Sequence, residues 1–438
     1  MKKFLSAVVS AAIILSSANI FPAFAAEKYG SDINIVLLGD SISEGYDLKE
    51  SEYNYGQIIA DYLDGTVSNY SKAGDETIDT LSKVSTASDL SDADVVIIST
   101  GSNDLIHYSS NFLLHMFAEI NALNDGYTAD DIPEKPTFSE MMKMVNTDAV
   151  KDFASSLTNQ IAINREMQIL RVNLTMKKTE DKNNKYDCII DTQVIPNIEK
   201  IVSEVKTINP NARIIVQTVY NPLQLDETYL ENLSSSYSTL LQNIFIPIFD
   251  SVTTEYRKRI MELDGVEIAD IYSDFASTDA NNNNYSWYFT GIQDSNIKEF
   301  KIHPNQAGHI AIATDILNII GEKNEDGGLL NLTYERLKNK ENYPAAALED
   351  YKKIEGTYCV GDVNNDMIID AKDASEILSI YSTLSTSGTI TLPESIQKAA
   401  DINLDKFIDS KDASEILAYY SYASTGETGS YKYFKNNK

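Results

Sequence analysis

The strongest constraint on the fold is a pattern that recurs three times: an apolar run that stops at a short polar turn. Ile33-Asn34-Ile35-Val36-Leu37-Leu38 runs into Gly39-Asp40-Ser41, Thr66–Tyr70 into Ala73-Gly74-Asp75, and Asp94–Thr100 into Gly101-Ser102-Asn103-Asp104. Near-continuous apolar runs bounded by such turns read as strands buried on both faces, the signature of a parallel sheet. Between them, Tyr53 to Leu63 and Glu76 to about Val84 carry helical spacing. Alternating strands and helices predict a parallel sheet covered by helices on both sides. The polar turns then gather at the carboxyl edge of the sheet, where open α/β sheets bind ligands.

The chain continues the alternation with longer pieces. Asp148 to about Val172 and Thr192 to Ile208 read as amphipathic helices, Ala212–Tyr220 as a fourth strand closed by Asn221-Pro222. Leu240 to Leu263 is a helix bent near Pro247, Val266–Ile271 a fifth strand, and Ala307 to Ile320 a closing helix. Leu105 to about 146, with Pro133, Pro136 and the cluster Met141-Met142-Lys143-Met144, is a long connection beside Asn103. It is either a lid or wall of a pocket or a helical insertion whose methionines fill core.

At 438 residues the chain exceeds one average core, so more than one domain is expected. A net charge of −29 argues against nucleic acid and anionic membrane as partners. Lys2-Lys3, an apolar stretch from Phe4 to Phe21, and Ala23-Phe24-Ala25 read as a signal peptide over 1–25, which predicts secretion. No later segment is long and apolar enough to span a bilayer. Cys188 and Cys359 do not make a disulfide framework and are expected to stay unpaired.

Far downstream of the three turns lies His303-Pro304-Asn305. Together the four blocks around Ser41, Gly74, Asn103 and His303 resemble those of the SGNH (GDSL-type) hydrolases, in order, over about 31–320. The resemblance implies a three-layer α/β/α sandwich and ester hydrolysis without a cofactor. Ser41 would be the nucleophile and His303 its general base and acid. The backbone N–H groups of Ser41 and Gly74 and the side-chain amide of Asn103 would hold the oxyanion. Each assignment has a physical reason: a serine hydroxyl needs a base, a glycine lets backbone approach a carbonyl, and an Asn amide is a neutral donor. Of the other histidines, His309 falls in a helical pattern and reads as structural. His107 and His115 fall in the 105–146 segment, on its surface or in a pocket wall.

The sequence departs from the family at one place. The acid expected three residues before the histidine is Phe300. Glu299, Asp294 or a backbone carbonyl is left to orient the ring, and a catalytically dead binding subunit is the remaining reading. The Tyr285–Phe289 cluster, with the sole Trp287, is either core or a platform for a sugar ring.

From about 321 to 357 the chain is polar and reads as a linker. The segment that follows repeats itself at a spacing of 39 residues. Asp362, Asn364, Asp366, Asp370 and Asp373 fall at loop positions 1, 3, 5, 9 and 12, with the Ile368 carbonyl at 7; Asp401, Asn403, Asp405, Asp409 and Asp412, with the Phe407 carbonyl, repeat them. Hard oxygen ligands at this spacing predict two structural Ca2+ sites. Met367 and Lys406 stand at position 6, where the turn needs a left-handed residue, at a cost of roughly 1–2 kcal/mol for a side chain. Residues 358–425 resemble a type I dockerin, a small all-α module with two EF-hand-like loops, with 426–438 as a tail. The resemblance implies a cohesin module of a scaffoldin as partner, recognised at Ala371-Lys372 and Ser410-Lys411. It also sets the expected context: an extracellular, cellulosome-associated serine esterase that deacetylates xylan or pectin. The alternative is a general lipase or esterase acting on small or lipid esters.

Overall fold

The computed structural model describes residues 33–50, 52–179, 183, 185–223, 236, 240–276, 302–322, 361–364, 369–387, 390, 392, 394–403 and 406–424. Five parallel strands form one sheet: β1 Asn34–Gly39, β2 Thr66–Asn69, β3 Val95–Ser99, β4 Arg213–Gln217 and β5 Glu267–Ala269, in the order β2-β1-β3-β4-β5. The strand order reverses at β1, which pairs with β2 on one side (Ile35 opposite Val67) and β3 on the other (Ile35 opposite Val95). That reversal is the topological switch point, and Ser41 follows β1 directly.

The two-residue alternation of the strands feeds two cores. Val36, Leu38, Val96, Ile98, Ile214 and Val216 face one layer of helices, which includes Ser102–Glu119, Leu157–Thr175, Ile195–Ile208 and Ile246–Ile260. Ile35, Leu37, Val95, Ile97 and Ile215 face the other, formed by Tyr55–Tyr62, Ile271–Ala276 and Gln306–Ile320. The three layers are therefore helix, sheet, helix.

The segment after Asn103 is part of this core. Ser102–Glu119 is one continuous helix that buries Leu113, Leu114 and Phe117, and Met141 and Met144 are buried in the same cluster. Three helices differ from their sequence reading. Asp148–Val172 is two helices, Thr147–Phe153 and Leu157–Thr175, because Ser156 caps the second by accepting from Asn159 N–H at 3.2 Å. Ile195–Ile208 and Ile246–Ile260 are each entered through a π-helical turn, Ile190–Val194 and Leu241–Phe245. Pro196 and Pro247 lie just inside these helices; a proline lacks the N–H and its ring crowds the carbonyl four residues back, so the preceding turn widens.

Gly39 closes β1 where the neighbouring strand leaves no room. A Cβ there would lie 2.2 Å from the Ser99 carbonyl oxygen and 2.8 Å from Ser43 Oγ. Gly39→Ala is expected to cost about 3 kcal/mol, at the upper end of over-packing penalties, read as a fall in the urea midpoint.

Asp315, on the closing helix, is pushed up to about 7 by burial and then by the nearby Asp270 carboxylate, and among the described residues its Oδ2 has no hydrogen-bond partner. Asp270 itself is held by Arg257 at 2.6 Å. A carboxyl raised this way contributes full stability below its unfolded value of 3.8 and loses it as the pH climbs through about 7. Asp315→Asn is therefore expected to melt several degrees above wild type at about pH 8 and to match it at about pH 4.

A separate small core belongs to the duplicated segment. Val363, Ile369, Ile377 and Ile380 of the first copy pack with Ile402, Ala413, Ile416 and Tyr419 of the second. Its helices are Ala371–Ser387, Glu394–Ala400 and Ser410–Ser424. The predicted signal peptide, the linker beyond 322, the Tyr285–Phe289 cluster, Cys359 and the tail lie outside the described residues. Cys188 is buried, its thiol directed to the Tyr186 carbonyl at 3.6 Å. Among the described residues no helix is long and apolar enough to cross a membrane.

Candidate active site and duplicated loops

At the carboxyl end of β1 the chain turns directly into a short helix, Ser41–Glu44, with Asp40 as its N-cap. Asp40 Oδ1 accepts from Ile42 N–H at 3.0 Å, and its other oxygen accepts from the Ser102 hydroxyl. Burial raises its carboxyl to about 6 despite these bonds. The cap fixes Ser41 at the head of the turn, 8% exposed at the edge of the sheet.

His303 reaches Ser41 from the loop ahead of the closing helix. Its Nε2 lies 2.9 Å from Ser41 Oγ. Its Nδ1 lies 3.1 Å from Oδ2 of Asp47. Asp47 sits six residues after Ser41, in the left-handed region at φ 70°, and that local geometry turns its carboxylate back toward the imidazole. This residue is not among those the sequence offers for the role, which all lie in the segment leading into His303. Its signal was modest: Asp is among the few side chains that tolerate positive φ. Glu299, Asp294 and Phe300 lie outside the described residues.

The three donors named for the oxyanion converge on the same edge. Gly74 adopts φ 85°, a conformation that a side chain would strain. Its loop is tied to the Ser41 turn: Glu44 Oε2 accepts from Ala73 N–H at 2.5 Å, and Asn69 Nδ2 donates to the Ser43 carbonyl at 2.7 Å. Among the described residues, neither the Ser41 nor the Gly74 backbone N–H meets a backbone or side-chain acceptor. Asn103, buried in the first turn of its helix, donates one amide hydrogen to the Asp75 carbonyl at 2.9 Å, which aims the other. Gly101 precedes that helix at φ 107°, and a Cβ there would meet the Tyr256 ring at 2.9 Å. Buried Asp104 pins the same turn by accepting from Thr77 N–H at 2.8 Å and from Gln193 Nε2 at 3.0 Å.

Of the remaining histidines, His309 is fully buried, its ring stacked on Tyr55 at 6.0 Å and its Nδ1 accepting from Tyr55 N–H at 3.3 Å. Burial, then the His303 charge, lowers it to about 3, so it stays neutral. His107 is buried, and His115 is exposed on the same helix. Ser41, Gly74, Asn103, His107 and His303 all line one cavity of about 510 Å3, whose walls include Leu105, Phe138, Ile248 and Phe249.

In the duplicated segment, the two position-12 carboxylates behave alike. Asp373 accepts from the N–H groups of Val363 at 2.8 Å and Asp370 at 2.9 Å, and Asp412 from those of Ile402 at 2.9 Å and Asp409 at 2.9 Å. Both are fully buried. Lys406 takes φ 70°, the left-handed conformation that position 6 requires. Among the described residues Asp401 Oδ1 is buried without a hydrogen-bond partner, an orphaned anionic oxygen that suits a cation ligand. Asp366, Ile368 and Asp405 lie outside the described residues. Ala371, Lys372, Ser410 and Lys411 are all exposed.

Solved structures similar to the chain include a lipase from a goat rumen metagenome (14% identity over 66% of this chain and 97% of that one, TM-score 0.36). Phospholipase A1 of Streptomyces albidoflavus NA297 matches with 16% identity over 66% and 99%, TM-score 0.38. A catalytic mutant of Axe2, an acetylxylan esterase of Geobacillus stearothermophilus, matches with 13% identity over 68% and 97%, TM-score 0.35. Likenesses this distant say nothing of substrate. No curated protein matches the chain. The family models are specific: the GDSL-like Lipase/Acylhydrolase family matches residues 37–311, and the dockerin type I domain matches 360–419. The chain thus belongs to the GDSL-like lipase/acylhydrolase family of ester hydrolases and carries a type I dockerin domain.

Proposed function

We propose that this protein is a secreted serine esterase that acts on acylated plant cell-wall polysaccharide while docked to a scaffold through its dockerin. The observation that carries the reading is the chain of contacts Ser41 Oγ to His303 Nε2 to Asp47 Oδ2, 2.9 and 3.1 Å. With Asp47 accepting from Nδ1–H, the lone pair of the neutral ring lies on Nε2, facing the hydroxyl. Ser41 attacks the ester carbonyl as His303 takes its proton, and Asp47 stabilises the imidazolium that forms. The N–H groups of Ser41 and Gly74 and the Asn103 amide receive the oxyanion, each worth about 3 kcal/mol in comparable sites. His303 then protonates the departing alcohol, and water resolves the acyl-enzyme by the same steps in reverse.

Acetyl groups on xylan or pectin are the leading substrate, from the context that the dockerin sets. The test is acetate release from acetylated xylan beside hydrolysis of p-nitrophenyl acetate. Release from both supports the reading; hydrolysis of the small ester alone removes the polysaccharide assignment and keeps the esterase. The cavity favours a second reading. At about 510 Å3 it is far larger than a two-carbon acyl group needs and falls in the range of pockets that bury whole small molecules. A p-nitrophenyl ester series is then expected to show kcat/KM rising beyond acetate.

The dockerin supplies the anchor. Asp362, Asn364, Asp370 and Asp373, and Asp401, Asn403, Asp409 and Asp412, with the position-5 and position-7 groups, would hold one Ca2+ each. The ions would neutralise the carboxylates and stiffen the loops. Calorimetric titration is expected to find two Ca2+ sites in wild type and one in Asp401→Ala, with esterase activity unchanged. A single site in wild type would contradict the duplicated reading. Ala371-Lys372 and Ser410-Lys411 are the proposed contacts for a cohesin.

A further inference from the structure

One wall residue of the cavity, His107, belongs to a second carboxylate–histidine pair that the hydrolytic steps do not use. His107 Nδ1 lies 2.9 Å from Glu76 Oε1, and Glu76 Oε2 takes Lys135 Nζ at 2.7 Å. His107 and Glu76 are 8% and 7% exposed in their side chains. The His107 hydrogen bond, against a smaller burial penalty, and then Lys135 hold the Glu76 carboxyl below its usual range, so it is ionised and accepts only. The proton between the two groups therefore sits on Nδ1. Among the described residues Nε2 makes no hydrogen bond, and His107 lines the cavity. An oriented imidazole nitrogen is thus offered to whatever fills that space.

The fold decides which part of the ester this is. His303 arrives from the layer packed on Ile35 and Leu37, whereas Asn103 and His107 belong to the helix packed on Val36 and Leu38, on the opposite side of the sheet. His303 must reach the leaving oxygen, so the alcohol part lies on its side. There Tyr46 is half exposed and its ring lies 4.9 Å from His303. The acyl part extends the other way, along the Asn103 helix. His107 is one turn beyond Asn103 on the same face. Leu105, Phe138, Ile248 and Phe249 make that side apolar.

We infer that His107 selects the acyl group: the site prefers an apolar acyl chain or ring that carries a hydroxyl able to donate to His107 Nε2, over the same group without it. Glu76 is its positioning residue. The inference rests on the esterase reading and names the acyl class for that site.

The test uses the full chain and a matched pair of probes, methyl 4-hydroxycinnamate and methyl cinnamate, with p-nitrophenyl acetate as reference. Wild type is expected to favour the hydroxylated ester by at least ~10-fold in kcat/KM, since a site built around a substrate hydroxyl rejects the analogue lacking it. His107→Phe should remove the preference, read as the ratio of kcat/KM on the two cinnamates. His107→Leu, smaller than Phe and equally without an acceptor, guards against overpacking and should remove it too. Equal rates on the two cinnamates, or no turnover of either while p-nitrophenyl acetate is cleaved, would overturn the inference and leave the esterase intact. A preference that survives both variants would also overturn it. Failure on all three esters by folded wild type would instead defeat the esterase reading beneath it.

Discussion

Ser41→Ala is expected to lower kcat for p-nitrophenyl acetate by a factor on the order of 10⁵–10⁶, the loss found when a serine nucleophile that acts with its histidine is removed. The change deletes one oxygen and little else. Asp40 still caps the turn through Ile42 N–H and the Ser102 hydroxyl, and alanine suits the short helix that Ser41 begins. Thermal stability should therefore stay near wild type. A variant that keeps more than ~1% of wild-type kcat would place the nucleophile elsewhere.

Asp47→Asn carries the second large effect, a fall of roughly 10²–10⁴ in kcat with a smaller change in KM. Asparagine adopts positive φ as readily as aspartate, so the backbone at φ 70° is kept. The amide, however, can present an N–H to Nδ1. That holds the imidazole in the wrong tautomer, with its proton on Nε2 where a lone pair must face Ser41, and leaves no anion to stabilise the imidazolium. Glu299→Gln and Asp294→Asn are the comparison. If Asp47 is the partner, both should stay within a few-fold of wild type. Loss of activity in Glu299→Gln with Asp47→Asn active would reverse the assignment.

The parts of the site that were legible in the sequence are those whose chemistry is fixed by local pattern. An apolar strand, a glycine or aspartate turn and a polar residue mark a sheet edge, so Ser41, Gly74 and Asn103 could be placed at that edge by their strands, while their roles came with the family resemblance. The spacing of oxygen-bearing residues marks the repeated loop in the same way, and Lys406 at φ 70° occupies the turn that the spacing demands. Asp47 was not legible because its role depends on one left-handed residue folding the Ser41 loop back on itself, which no hydrophobic period reports. The Glu76–His107 pair was hidden for a different reason. Its members lie 31 residues apart, on helices that meet only once the sheet has formed. The break at Ser155-Ser156 and the two π-helical turns were missed because an amphipathic period runs across them. Only the serine cap and the proline ring decide where the helix yields.

The central claim is that Ser41 is a nucleophile activated by His303, with Asp47 holding the ring. Its most direct measurement is covalent labelling with diethyl p-nitrophenyl phosphate, followed by intact mass and peptide mapping. Wild type should gain one diethylphosphoryl group, on Ser41, with release of one equivalent of p-nitrophenol. His303→Ala should remain unlabelled over the same time. A folded wild type that takes no label, or takes it on another residue, would contradict the account.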